Sequence, residues 1–150
     1  MAWLVFALRV LLGGLLIVAG ALKVSHPESL ASAIAGYRLL PGALVVPLAI
    51  AIPPLELILG FYLAIGLFTR IASASVCAML LVYAAAVASA VVRHIPANCG
   101  CFGPADAATA DWPHVGVDAA LAALAALIAR RAPGSLALDA TLSRAARKDR

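Results

Sequence analysis

The sequence predicts an all-α integral membrane protein, a four-helix bundle with a short extra helix on one membrane face between spans 1 and 2. Two observations carry this. Of 150 residues, 65% are hydrophobic and only 12% are charged, against about 45–50% apolar and about 25% charged in soluble domains. The apolar residues also fall in runs of about 20, the length a helix needs to cross a hydrocarbon core roughly 30 Å thick. A water-soluble chain of this size buries only about 70% of its unfolded surface, too little to hide so much apolar area.

The first span is read at residues 2–22, interrupted only by Arg9. Small residues in "VAGA" would suit a cleavage site. However, no Lys or Arg precedes the apolar stretch, so the segment reads as a retained helix rather than a leader. The second span, 44–68, carries Glu56 and three prolines, Pro47, Pro53 and Pro54. The third, 71–92, has no charge; the fourth, 115–129, is short and alanine-rich, and residues around Trp112 can complete it. Spans 2 and 3 are expected to join through a tight turn at Thr69–Arg70. Between spans 1 and 2, Pro27 opens a segment whose apolar positions Leu30, Ala33, Ile34 and Tyr37 recur at helical spacing. It is expected to lie on the membrane surface as a lid. Gly13, Gly14, Gly20, Gly60 and Gly66 are candidates for close helix approach.

Residues 1–131 thus form the membrane domain, and 132–150 a basic tail. Six of the eleven Lys and Arg residues follow residue 129, opposed there by only Asp139 and Asp149. The positive-inside rule places that tail, and with four spans the N-terminus, in the cytoplasm of a bacterial inner membrane. The basic tail reads as a solvated, partly disordered end that fixes orientation, rather than as a lipid- or nucleic-acid-binding site; the lipid contact expected is that of the spans. Loops 23–43 and 93–114 are then expected to face outward.

The second of those loops holds "NCGCFG". Cys99 and Cys101 flank Gly100 at the face where disulfides persist. Residues i and i+2 reach disulfide distance only through a sharp turn, and glycine permits one. A bridge this short restrains the unfolded chain little, and strained, exposed disulfides are the exchange-prone kind. Asn98 is a candidate donor to a thiolate, Phe102 a cover for the sulfurs, and Gly103 a chain breaker beside Pro104. The alternative is a metal-handling or small-solute membrane protein, with Cys99, Cys101, His94 and His114 as ligands for copper or zinc and Glu56 as an intramembrane site. Usual zinc spacings, though, place two to four residues between paired cysteines. A third reading is an assembly partner whose loop docks a secreted client. Cys77, deep in span 3, reads as a small membrane hydrophobe.

A charge inside the bilayer faces the bundle, finds a partner or is neutralised. Glu56 lies at a height between Arg9 and Lys23, and sequence does not choose its partner. The pair reads either as a register lock or as the polar lining of a substrate or quinone pocket.

These pieces together resemble the MauE proteins, the methylamine-utilisation branch of the DoxX-like membrane proteins. The resemblance rests on "RVLLGGLLIVAGALKV", "YRLLPG", "PPLELILGFYLAIG" and "CGCFG" before a tryptophan, and covers about two-thirds of the chain, Arg9 to Trp112. Asn98, where an acidic residue is expected, and Asp118, near an expected Arg-Asn pair, depart from the pattern. The resemblance implies a four-helix membrane bundle and a role in forming or delivering disulfides outside the cytoplasm. The client implied is the disulfide-rich small subunit of methylamine dehydrogenase, alongside a thioredoxin-like partner. It makes Cys99 and Cys101 the redox pair and Arg9, Lys23 and Glu56 the polar helix positions. The function expected is a membrane thiol–disulfide oxidoreductase, with membrane quinone as a candidate electron sink.

Overall fold

A computed structural model describes residues 2–100, 109–132 and 137–139. Among them are five helices: α1 (Ala2–Val24), α2 (Pro27–Gly36), α3 (Gly42–Ile65), α4 (Thr69–Val92) and α5 (Trp112–Arg131). Four of these, all but α2, are long and apolar enough to cross a membrane. The chain is therefore a multi-pass helical membrane protein. Each span runs slightly differently from expectation. α3 begins two residues earlier and stops at Ile65, because Gly66 takes a left-handed conformation (φ 76°) and its N–H caps the Tyr62 carbonyl. The expected turn at Thr69–Arg70 is displaced for the same reason. The chain turns at Gly66–Phe68, and Thr69 and Arg70 already form the first turn of α4. α5 is lengthened at both ends; Asp111 caps it through the His114 N–H, with Pro113 in the first turn.

The spans assemble as two antiparallel pairs, α1 with α3 and α4 with α5. In the first pair the backbones almost touch: a Cβ on Gly13 would lie 2.6 Å from the Gly60 carbonyl oxygen, and one on Gly60 2.7 Å from that of Gly13. Without a hydrophobic force between helices in lipid, such close approach supplies the van der Waals contact that holds them. Gly14, expected to act likewise, has nothing within 4 Å of its notional Cβ and contributes no such contact. The two pairs meet across a core of Leu12, Leu16, Leu59, Leu63, Val76, Leu80, Ala125 and Ile128. Cys77 packs beside that core and carries a free thiol.

At one end, α2 lies against α3, and Tyr37, the C-cap of α2, joins Val87, Ala90 and Ala97 in a second, smaller core. At the other end, residues 137–139 return to the bundle. The Asp139 carboxylate accepts from the Phe68 N–H at 2.9 Å and the Thr69 N–H at 2.7 Å, capping α4, and Ala137 is buried. A stretch assigned from composition to a free tail thus includes a docked turn.

Candidate functional site: the cysteine loop and its buried polar chain

α4 ends at Val92, before Pro96, and the chain then folds over its own last turn. The Ile95 N–H donates to Ala90 O, and the Ala97 and Ala110 backbones pair at 2.8 Å. An isolated antiparallel bridge joins Asn98 to Thr109, so the two arms of the loop are clipped at its neck. Cys99 follows at once, and it is disulfide-bonded. Cys101, Phe102 and Gly103 lie outside the described residues.

Tyr37 fixes this neck from across the bundle. Its hydroxyl proton is shared between the Asn98 carbonyl (3.1 Å) and the Cys99 carbonyl (2.9 Å). Tyr37 O accepts in turn from the Arg93 guanidinium, whose Nε is anchored on Ser89 O. Gly100 takes φ 71°, and a Cβ there would come within 2.9 Å of the Ala33 methyl on α2. Only glycine meets both demands, the left-handed backbone and the closeness of the helix. Cys99 is 6% exposed, whereas exchange at a membrane face predicts an open sulfur. The cause is α2: its Ala33 and Tyr37 roof the cysteine. Asn98 is exposed and meets Tyr37 through its carbonyl.

Beneath this roof is a cavity of about 200 Å³. Its walls come from α2 (Leu30, Ala33, Tyr37), α3 (Leu48, Ile52), α4 (Val82, Tyr83, Ala86) and the loop (Cys99, Gly100). Nearly every wall group is apolar.

The buried charges are settled by geometry. Lys23 Nζ lies 2.7 Å from Glu56 Oε1 and 2.9 Å from Oε2, with side-chain exposures of 4% and 1%. The Tyr83 hydroxyl donates to Glu56 Oε1 at 2.9 Å, and the Lys23 ammonium sits 5.5 Å from the Tyr83 ring centre. Glu56 thus partners Lys23. Arg9 belongs to the opposite end, 5.5 Å from the Phe6 ring and packed on Gly66, where a Cβ would lie 2.6 Å from its Nη1. That is the C-terminus of α3, whose partial negative charge favours a cation, and Asp139 adds an opposite charge nearby.

Sequence reading missed Tyr83 and gave Tyr37 only an apolar role; a lone tyrosine within an apolar span was the available signal, since its hydroxyl needs a partner there. Asp118 of α5 is also buried, within electrostatic reach of Lys23 and His114, and its Oδ2 has no hydrogen-bond partner among the described residues. The histidines do not converge with Cys99. His94 is exposed (φ 52°), and the His114 ring is held by Asp111 Oδ1. Among the described residues no group of three His, Cys, Asp or Glu side chains is placed to hold a metal ion. Asp111, outside the span, is held below the usual carboxylate range by hydrogen bonds from the His114 side chain and backbone.

Fold and site together define a four-span helical membrane protein with a disulfide-bonded loop roofed by a short helix. The pattern of one family, described as methylamine utilisation protein MauE, matches residues 1–131. A curated relative, "Methylamine utilization protein MauE" of Paracoccus denitrificans, is 31% identical over 137 residues, covering 91% of this chain and 74% of the relative. The chain belongs to the MauE family. No solved structure matches it.

Proposed function

We propose that the protein is a membrane thiol–disulfide oxidoreductase that passes its Cys99–Cys101 disulfide to extracytoplasmic clients in methylamine utilisation. The observation that carries this is the disulfide-bonded Cys99 held by Tyr37 at the neck of a clipped loop. A staple would gain little from such a short ring, whereas the fold commits α2, Tyr37 and Arg93 to placing it. In this reading the loop faces the oxidising side, as the charge distribution favours. A client thiolate attacks Cys101, because α2 covers Cys99. The Cys101–Cys99 bond breaks, a client–Cys101 mixed disulfide forms, and Cys99 leaves as the thiolate. The client's second thiolate resolves the mixed disulfide. Two electrons pass to the cysteine pair, and the client gains one disulfide. The family resemblance supports a thioredoxin-like protein or the disulfide-rich small subunit of methylamine dehydrogenase as that client.

The test is trapping with single-cysteine variants in cells, followed by mass spectrometry of any disulfide-linked adduct. In Cys99→Ser the lone Cys101 thiolate attacks the disulfide of an oxidised client, the exchange run in reverse, and no neighbouring thiol resolves the mixed disulfide, so adducts through Cys101 are expected to accumulate. Cys101→Ser is expected to accumulate far fewer. Absence of adducts from both variants, together with stoichiometric copper or zinc on the purified wild-type protein, would overturn the proposal in favour of metal handling.

A further inference from the structure

A disulfide that is handed to a client leaves behind two thiols, and two electrons must then go somewhere. The wall of the cavity under α2 contains Cys99 and Gly100 on one side and the spans α3 and α4 on the other. Its rim is formed by Leu39, Leu40 and Val82, which are 47%, 41% and 65% exposed. Val82 lies mid-way in a span, whereas Leu39 and Leu40 precede α3, so the Val82 side of the rim faces lipid tails. Whatever enters from that side must be dissolved in the membrane. The volume, about 200 Å³, is below the roughly 300–1,000 Å³ of ordinary small-molecule sites. It suits a single ring system whose apolar tail stays in lipid. Two wall residues bring polarity: Tyr37, whose hydroxyl is bound to the Asn98 and Cys99 carbonyls, and Tyr83, whose hydroxyl is bound to Glu56 and through it to Lys23.

We infer that this cavity is the binding site of a membrane quinone that reoxidises the Cys99 pair. The inference rests on the exchange reading above and names its electron acceptor. In the step, the reduced pair is oxidised and one S–S bond forms. Two electrons pass to the quinone ring, and the two thiol protons go to its two oxygens, giving a quinol. No further oxidant or proton is required. Cys99 is the cysteine adjacent to the ring, and client attack at Cys101 leaves the thiolate on that same residue. Burial of Cys99 thus has a purpose in both halves of the cycle: it keeps the sulfur away from the client and against the acceptor. Tyr83 is a positioning residue that lines the cavity while Glu56 and Lys23 hold its hydroxyl end.

The experiment uses the full-length protein in lipid nanodiscs, reduced with dithiothreitol, desalted without oxygen and mixed with decylubiquinone. Consumption of the quinone is followed by its absorbance, and formation of the disulfide by alkylation and mass. One quinone reduced per protein is the expected stoichiometry. Ala86→Phe and Leu48→Trp fill the cavity from different helices, so failure of one to fold leaves the other. Each is expected to slow quinone reduction at least tenfold, with circular dichroism and gel filtration checking that the variant is folded. The inference is overturned if the wild-type protein leaves decylubiquinone oxidised. It is equally overturned if two folded cavity-filling variants react at the wild-type rate, or if the cavity retains only acyl chains under native mass spectrometry with decylubiquinone in excess. Failure of the exchange reading has a different signature: decylubiquinone oxidises the reduced pair, and filling the cavity blocks it, but neither single-cysteine variant forms adducts in cells.

Discussion

Lys23 of α1 and Glu56 of α3, 33 residues apart in sequence, form a two-pronged ion pair, 2.7 and 2.9 Å, buried between their helices. Tyr83 of α4 completes it from the other helix pair. Three of the four spans therefore meet at one carboxylate, which fixes their heights relative to one another.

Removing one partner of a buried pair leaves an uncompensated charge, a loss of about 3–5 kcal/mol, whereas replacing both with apolar residues is often neutral. Lys23→Met and Glu56→Leu are each expected to destabilise the bundle by about that amount, and the double variant to recover most of it. Reversible unfolding in mixed micelles measures all three. Additive losses would show that the two side chains do not act as a pair.

Tyr37→Phe removes the hydroxyl that holds the Asn98 and Cys99 carbonyls. A shared neutral hydrogen bond is worth about 1 kcal/mol, so the fold should survive while the roof over Cys99 loosens. After reduction, Cys99 in this variant is expected to react with a water-soluble maleimide several-fold faster than in wild type. An unchanged rate would mean that α2 packing alone keeps the sulfur covered.

Gly100→Ala places a side chain at φ 71° and within 2.9 Å of the Ala33 methyl. The left-handed backbone alone costs about 1–2 kcal/mol, and the clash pushes α2 outward. Loss of disulfide formation in the purified protein is the expected result. Gly14→Ala, with open space around its Cβ, is the matched control and is expected to be silent by the same measurement.

Asp139 ties the chain after α5 to the start of α4. Burial alone would raise its carboxyl, but the N–H groups of Thr69 and Phe68 and the charge of Arg9 outweigh that and hold it below its ordinary value. A carboxylate depressed in the folded state contributes stability that is full above the unfolded value, about 3.9, and is lost as pH falls through the folded value. Protection of the Phe68 and Thr69 amides from hydrogen exchange should therefore persist at neutral pH and weaken only at pH below about 3.9. Asp139→Asn should abolish the pH dependence of that protection. A wild-type protection that does not change down to pH 2 would exclude the latch.

Much of this architecture was legible in the chain. The spans were visible because lipid demands about 20 apolar residues in a row, a one-dimensional requirement. The lid helix was visible for a related reason: Leu30, Ala33, Ile34 and Tyr37 recur at a period set by the helix itself. Boundaries were less secure. The end of α3 depends on a left-handed Gly66, and many glycines in this chain are not left-handed. Among the small residues, Gly13 and Gly60 meet backbone to backbone while Gly14, one residue away, faces nothing. A stripe of glycines says that close approach is possible, but the rotation of the helix decides which one is used.

The amino-acid sequence determined on its own that this is a four-span membrane protein with buried charges in its helices and a cysteine pair in one loop. Those features follow from composition, run length and local spacing, which the chain carries without reference to any contact. Only the tertiary structure decided that Lys23 rather than Arg9 meets Glu56, that Tyr37 holds the Cys99 backbone, and that Cys99 lines a cavity with α2, α3 and α4. The first two depend on contacts between residues 33 and 62 positions apart. A partner in three dimensions is set by how helices tilt, rotate and pack, and no local pattern encodes that.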